Sequence, residues 1–443
     1  MKYIVFIAAA LALVPIVTVL ASTAQRYRTW LLGALIFSTV IGDFAGVNFL
    51  SAETYRGPDR GFEVTLTDLL AWGLAISMYI RHGAKLRFSP PGTITLSALF
   101  LMGLISAALA PAPLYSAFTL WKWLRLFVVY LVVVNSLALE FQLVAVRYGL
   151  TAIGAVITFL AVKQKYVEHI YRIPGPFDHS NTIPLYVNLI LPLLLVWALT
   201  DRTLKKWEVV TTMVCVFGLL FAVVATYSRA GMALSGMCAF GAMLVANLKG
   251  QTMRAGIASG VVLVLLIGGG IKAAGSIATR IATAPKASEE AREEFNQAAD
   301  QMALDHPFGV GLNNFSRVLS DDARYNRYLG VMKNEAEAGV CHHIYRLTAA
   351  ELGYGGLAIF VVLLLRFAGI ALRWSWSSRT LEAALLAGQL LGFVALHLSG
   401  FFEWAFRITP VAQAFTIHCA LVVALAARVQ TTTRRNRLIT PKS

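Results

Sequence analysis

Arg229 is the first residue whose type and setting could do chemistry. It stands in Thr226-Tyr227-Ser228-Arg229-Ala230-Gly231, between two apolar runs only a few residues apart. A charge at membrane depth costs roughly 2.5–3.5 kcal/mol on insertion scales, so it tends to face a cavity or a partner. A guanidinium also forms paired hydrogen bonds to phosphate. Read locally, Arg229 is equally a phosphate ligand or a snorkelling residue that marks the end of a span.

His342 and His343 come next, in Cys341-His342-His343-Ile344-Tyr345-Arg346. An imidazole can act as a base or donate a hydrogen bond near neutral pH. No HExxH, CxxC or spaced carboxylate cluster lies near, so a metal site is not indicated. Asp321-Asp322 is a bare acidic pair that reads as a solvated face. The plainer reading of both histidines is interfacial polar residues at a helix start. A helix beginning near His342 would put Tyr345, Arg346 and Ala349 on its face. Glu351 would then point to the opposite side, which makes it no obvious orienting partner for His342.

A third stretch, Arg172-Ile173-Pro174-Gly175-Pro176-Phe177-Asp178-His179-Ser180-Asn181, follows Lys163 and Lys165. It offers the cations and amide donors that an anionic headgroup needs, or is an ordinary connector. Asp43, Lys122, Arg125 and Glu403 lie in or near apolar runs and could pair or line a cavity. Lys122-Trp123-Leu124-Arg125 also reads as an aromatic-flanked interface anchor.

The elements that must position these residues are membrane spans. The chain has 443 residues, 58% hydrophobic and 14% charged, whereas soluble domains run near half apolar and about a quarter charged. The excess is gathered in runs of roughly 20 residues, the length that crosses a bilayer as a helix. Period-two alternation is absent, which excludes a barrel. The expected fold is all-α and polytopic. Thirteen apolar runs extend from 3–21 to 408–427, with twelve as the rival count. The net charge of +15 sits in short connectors and the tail, so it reads as topology rather than nucleic-acid binding. The basic connectors read as cytoplasmic. The opposite side then holds residues 51–63, 111–116, 163–182, the Tyr227-Ser228-Arg229 break, 273–346 and 401–407. Four cysteines without a CxxC pair indicate neither a disulfide framework nor a metal. Residues 1–20 resemble a signal peptide or a retained first span.

The chain divides into a transmembrane bundle (1–272), a large polar loop (273–346), further spans (347–428) and a basic cytoplasmic tail (429–443). The loop contains helical material: Ala291, Phe295, Ala298 and Met302 recur at helical spacing, with Glu289, Glu290, Glu293 and Glu294 on other faces. Asp305-His306-Pro307-Phe308-Gly309-Val310-Gly311 breaks that helix. A second amphipathic stretch follows through Val318, Tyr325, Tyr328, Leu329 and Met332. The loop therefore reads as a helical cap over one membrane face.

Over roughly residues 165 to 400 the chain resembles the O-antigen ligase and polymerase family of bacterial envelope enzymes. Four motifs carry the resemblance, in order. They are Gly175, Phe177 and Asn181 of a Gly-x-Phe-x-x-x-Asn loop; Ser228-Arg229-Ala230-Gly231; His306-Pro307-Phe308-Gly309-Val310-Gly311 followed by Asn313-Asn314-Phe315; and His342 with Glu351-Leu352-Gly353. The chain departs from the pattern at His343, where an Asn is usual, and at Arg346, where an apolar residue is usual. The resemblance implies a GT-C-like fold of about 12–13 spans. It implies an enzyme that transfers a glycan from an undecaprenyl pyrophosphate donor to an acceptor hydroxyl, in ligases a lipid A–core sugar. The reaction would invert the anomeric centre without metal or cofactor, at the periplasmic face of the bacterial inner membrane. By the same resemblance Arg229 would hold the pyrophosphate, helped by Arg172 and Arg292. His342 would activate the acceptor, with His343, Arg346 and Asn181 beside it. The partners implied are the donor, the acceptor and membrane lipids, with no nucleic acid. An O-antigen polymerase and a protein O-oligosaccharyltransferase are sibling readings. A lipid-linked glycan transporter would more often show repeats or paired broken helices, and the sequence has neither.

Overall fold

The computed structural model describes residues 2–41, 45–257, 259–261, 263–264, 267–268, 286–327 and 339–439. The chain opens with α1 (Lys2–Thr23) and α2 (Gln25–Ser38), followed by a short antiparallel hairpin of β1 (Gly46–Phe49) and β2 (Phe62–Thr65), in register Gly46 to Thr65. Then come α3 (Leu66–His82), α4 (Thr93–Leu109), α5 (Pro113–Glu140), α6 (Leu143–Val162), α7 (Thr182–Thr200), α8 (Lys206–Ala225) and α9 (Arg229–Lys249). The polar loop contributes α10 (Lys286–Asp305), α11 (Phe315–Asp321) and α12 (Ala323–Asn326). The chain closes with α13 (Ile344–Ser375), α14 (Leu381–Ser399) and α15 (Thr409–Ile439).

This is an all-α polytopic membrane protein, and its make-up is consistent with a GT-C-like arrangement. Among the described residues nine helices are long and apolar enough to cross a bilayer. Three of the remaining expected spans form the shorter helices α2, α3 and α4, and the run at 255–272 is described only in part. The expected span at 29–50 stops being α-helical at Ser38, and its last residues form β1 instead. Asp43, Tyr328, Leu329 and Met332 lie outside the described residues, as do the side chains of Glu289, Glu290 and Ala291.

The centre of the bundle is α7, buried along its whole length against α8, α9 and α14. Between helices in lipid, burial of apolar surface gives little drive, so close packing and internal hydrogen bonds must hold them. Both are present. A Cβ at Gly392 of α14 would lie 2.9 Å from the Asn188 carbonyl oxygen. On the other flank the Ser235 hydroxyl donates to Asn188 Oδ1 at 2.5 Å.

The motif His306–Gly311 builds a joint. Helix α13 is interrupted at Gly353 (φ 70°, ψ 175°), and the turn after α10 enters the gap. The Val310 amide donates to the Ala350 carbonyl (2.8 Å), and the Gly311 amide donates to the Glu351 carbonyl (3.3 Å). The Ser106 hydroxyl of α4 also donates to the Glu351 carbonyl (2.6 Å). Carbonyls freed by the break are thereby satisfied, which a helix at membrane depth requires. No side chain fits: a Cβ at Gly353 would sit 2.0 Å from the Pro307 oxygen, and one at Gly309 would sit 2.2 Å from the Glu351 oxygen. Asn313 and Asn314 extend the joint. Asn313 Nδ2 donates to the carbonyls of Asp59 and Tyr115, each at 2.8 Å, and Asn314 Nδ2 donates to Ser116 Oγ at 3.0 Å.

Candidate functional site

Helix α13 starts at Ile344, later than a start at His342 would have it. His343 is its N-cap, and its Nδ1 accepts from the Arg346 amide at 3.3 Å. His342 therefore precedes the helix and is free to turn away from it. Its Nδ1 lies 3.1 Å from Glu403 Oε2. Glu403 sits in the short connector between α14 and α15 and gathers three further partners. Asn181 Nδ2 donates to its Oε1 at 2.6 Å, Arg292 Nη2 approaches the same oxygen at 3.4 Å, and His179 lies close enough to feel its charge. Burial pushes the Glu403 carboxyl up, but His342, Arg292 and Asn181 together outweigh it and hold the group below its ordinary range. An ionised carboxylate can only accept, so His342 Nδ1 donates, and in the neutral ring the lone pair is left on Nε2. Glu403 thus fixes the tautomer a general base needs.

Asn181 ties this pair to the second motif. Its Oδ1 accepts from Arg172 Nη2 at 2.9 Å, and Arg172 Nε donates to the Thr226 carbonyl at 3.1 Å. The Gly175 turn is pinned by Gln164, which exchanges two 2.8 Å hydrogen bonds with the Gly175 backbone, and Phe177 is buried against Tyr186. In the Gly-x-Phe-x-x-x-Asn loop, Gly175 and Phe177 anchor while Asn181 reaches the site. Arg229 opens α9 after the Ser228 cap and is exposed. It stands three residues beyond the Thr226 carbonyl that Arg172 holds. The structure therefore brings His342, Asn181 and Arg292 together at Glu403, with Arg172 joined through Asn181. Arg346 turns aside to Asp300 (3.2 Å), and the His343 ring packs edge-on against Tyr345 and Phe401.

His342 and Glu403 line a polar cavity of about 530 Å³. Its walls come from residues 48–63, 178–182, 339–342 and 403–410, with Phe118, Lys122 and Arg125 of α5. These are stretches that the charge pattern puts on one face. Arg172, Arg229 and Arg292 are not among the lining residues, whereas Arg56, Arg60 and Arg407 are. Lys122 and Arg125 are buried and paired rather than anchors at an interface. Lys122 Nζ pairs with Asp59 and donates to the Arg407 carbonyl (2.8 Å), and Arg125 bridges Asp68 and Glu63 (2.7 Å to Glu63). Glu351 pairs with Arg407. A second, mostly apolar cavity of about 380 Å³ lies between α4, α5, α13 and α15 and also has Arg407 in its lining. Among the described residues no three His, Cys, Asp or Glu side chains are grouped as metal ligands, and all four cysteines are free.

Two parts of this site escape local sequence reading. Glu403 carries a charge in a short connector, which marks it as a cavity residue but cannot name His342 as its partner. The loop Tyr55-Arg56-Gly57-Pro58-Asp59-Arg60-Gly61 is dense in charge on the expected face, the one signal that could have found it.

Residues 214–361 match the family model described as O-antigen ligase. The matched part holds Arg229, Arg292, the joint and His342, and excludes the Arg172–Asn181 loop and Glu403. No curated protein matches the chain. One solved chain, from a structure concerning coordination of polymerization and crosslinking by a peptidoglycan synthase complex, aligns at 14% identity and TM-score 0.39. That alignment covers 76% of this chain and 96% of the other. Over residues 214–361, then, this integral membrane protein is similar to the O-antigen ligase family model.

Proposed function

We propose that the protein is an O-antigen ligase: a glycosyltransferase moving a glycan from undecaprenyl pyrophosphate to a hydroxyl of a lipid A–core sugar. The site would face the periplasm from the bacterial inner membrane. The observation that carries this reading is the His342–Glu403 pair in the wall of a polar, cation-lined cavity. Of the two, His342 stands inside the segment that matches the family model.

In the proposed reaction His342 Nε2 takes the proton of the acceptor hydroxyl as its oxygen attacks the anomeric carbon. The carbon–oxygen bond to the carrier breaks on the opposite face, and undecaprenyl pyrophosphate leaves with the electron pair. Inversion follows from the opposed geometry. Glu403 holds the imidazole in the required tautomer and favours the imidazolium that forms. Negative charge growing on the pyrophosphate needs fixed cations, often the largest single term in catalysis. Arg172 and Arg292 are held toward the site through Asn181 and Glu403, and Arg229 follows three residues after the Thr226 carbonyl that Arg172 holds. Metal and cofactor have no part in the proposal.

The test is a purified-component assay. Carrier-linked glycan is offered to lipid A–core, to a second carrier-linked glycan and to a protein, with and without chelator. Transfer to lipid A–core that survives chelation is expected. Transfer only to the second glycan would make the protein a polymerase, and transfer only to protein would make it an O-oligosaccharyltransferase. Loss on chelation would overturn the metal-free mechanism, and movement of intact lipid-linked glycan without transfer would overturn the enzyme reading.

A further inference from the structure

The charges around the cavity do not balance evenly. Asp59 is paired with Lys122, Glu63 with Arg125, and Glu403 with His342 and Arg292. Arg407 is paired with Glu351 behind the wall. What remains in the lining, among the described residues, is Arg56 and Arg60 with no ion pair or hydrogen bond to their guanidinium groups, and one exposed carboxylate, Asp178. The unpaired charge of the cavity is thus concentrated on one loop.

That loop is built as a rigid support. Each exposed arginine follows a buried anchor. Tyr55, before Arg56, is buried, stacks on Tyr115 with ring centres 4.0 Å apart and donates its hydroxyl to the Asn313 carbonyl. Asp59, before Arg60, is buried, pairs with Lys122 and accepts from Thr119, and its backbone exchanges hydrogen bonds with the Asn313 side chain (2.8 and 3.3 Å). Between them stand Gly57 and Pro58, and the Ala52 amide closes the loop on the Arg60 carbonyl at 2.7 Å. Two long cations held on a fixed backbone lose less freedom on binding than two on a mobile one. Guanidinium groups presented in this way match the paired oxygens of a phosphate. In the same wall, buried Arg407 Nη1 and Arg125 Nε have no hydrogen-bond partner among the described residues. The wall therefore keeps donor capacity beyond what its own carboxylates use.

We propose that Arg56 and Arg60 are an anion-binding pair that holds a phosphate group of one of the two lipid-linked substrates in the cavity lined by His342. This deepens the ligase reading and rests on it for the identity of those substrates. The phosphate has two possible sources with one chemistry: the pyrophosphate of the carrier, or a phosphate borne by the acceptor sugars.

The experiment uses the full-length purified protein and the variants R56Q/R60Q and R56K/R60K. Calorimetric titration with inorganic pyrophosphate reads anion binding without any assumption about transfer. Loss of both guanidiniums is expected to weaken binding by roughly tenfold or more. The lysine variant should retain part of the affinity, since it keeps charge but not the paired geometry. Because both side chains are exposed, thermal stability should stay near that of the wild type. In the transfer assay, a raised KM for phosphorylated acceptor, but not for phosphatase-treated acceptor, assigns the pair to the acceptor. A raised KM for the donor with either acceptor assigns it to the carrier. Equal pyrophosphate affinity in wild type and R56Q/R60Q would overturn the proposal. Absence of transfer in the wild type with intact anion binding would instead overturn the ligase reading.

Discussion

The cavity at His342 and the joint at Gly353 lie at the head of the same helix and are built on opposite terms. At the cavity the side chains keep something in reserve. His342 is 28% exposed and has one ring nitrogen committed, while Arg56 and Arg60 have none of their donors used among the described residues. At the joint the backbone is committed. The Ala350 and Glu351 carbonyls, the two asparagines and two glycines are closed on one another with no room for a methyl group. Both regions come from short polar motifs that look equally functional in sequence. Unused hydrogen-bonding capacity facing a cavity marks chemistry, and saturated capacity in the interior marks architecture.

The largest test of that contrast is to break the joint. Gly353→Val forces a β-branched residue to φ 70° and drives a side chain against the Pro307 oxygen. Strain, overlap and loss of the turn together should exceed about 4 kcal/mol. The expected result is loss of folded protein, read as detergent-extractable monodisperse yield. A folded, active Gly353→Val would show that the motif is not a joint.

The matching test at the cavity should leave the fold alone. His342→Ala should reduce transfer by about 10²–10⁴-fold in a protein that still folds, its unfolding midpoint lowered only by what Glu403 loses with its histidine partner. Retained activity would remove His342 from the mechanism. Glu403→Gln should fall between these extremes. The amide can still accept from Nδ1 but no longer offers charge to the imidazolium, so a loss on the order of tenfold is expected, with KM for either substrate little changed. A loss confined to KM would make Glu403 a binding residue.

A smaller effect separates the two neighbouring histidines. The His343 ring accepts from the Arg346 amide as a helix cap. His343→Ala should therefore lower stability by about 1 kcal/mol and leave most of the transfer rate intact. If His343→Ala instead abolished transfer while His342→Ala did not, the roles of the pair would be exchanged.

Much of this arrangement is legible locally. Span length and apolarity are properties of one stretch, and so the described runs read from sequence meet helices, except that the run at 29–50 ends in β1. Stretches from residues 48–63, 178–182, 339–342 and 403–410 share one cavity, and charge bias is what assigned them a common face in the sequence. What local reading misses is partnership. Glu403 and His342 are 61 residues apart, and Asn313 meets Asp59 across 254. Lys122 and Arg125 permitted both an anchor and a buried pair, and only the arrival of Asp59, Glu63 and Asp68 decides between them. The helix start also shifts for a tertiary reason: His343 can cap because Ile344 is fixed through its amide to the Gly400 carbonyl (2.9 Å). This leaves His342 outside the helix, facing the connector that carries Glu403.

The smallest expected effect is on stability against pH, and it probes whether Glu403 is held by the partners named. Its carboxyl lies below the ordinary 4.5, because His342, Arg292 and Asn181 outweigh the upward push of burial. A carboxyl depressed in the folded state stabilises the fold above the unfolded value, and that contribution is lost as pH falls through the folded value. Glutamine at this position cannot titrate. The difference in unfolding midpoint between wild type and Glu403→Gln should therefore be present at neutral pH and narrow as pH drops below about 4.5. Arg292 lies 3.4 Å from the carboxylate and is 40% exposed, so its share is screened and should weaken with salt. The His342 share is less exposed and should persist. A difference that widens toward acid would mean the carboxyl is raised by burial instead. In that case Glu403 would share the saturated, structural character of the joint rather than the open character of the cavity.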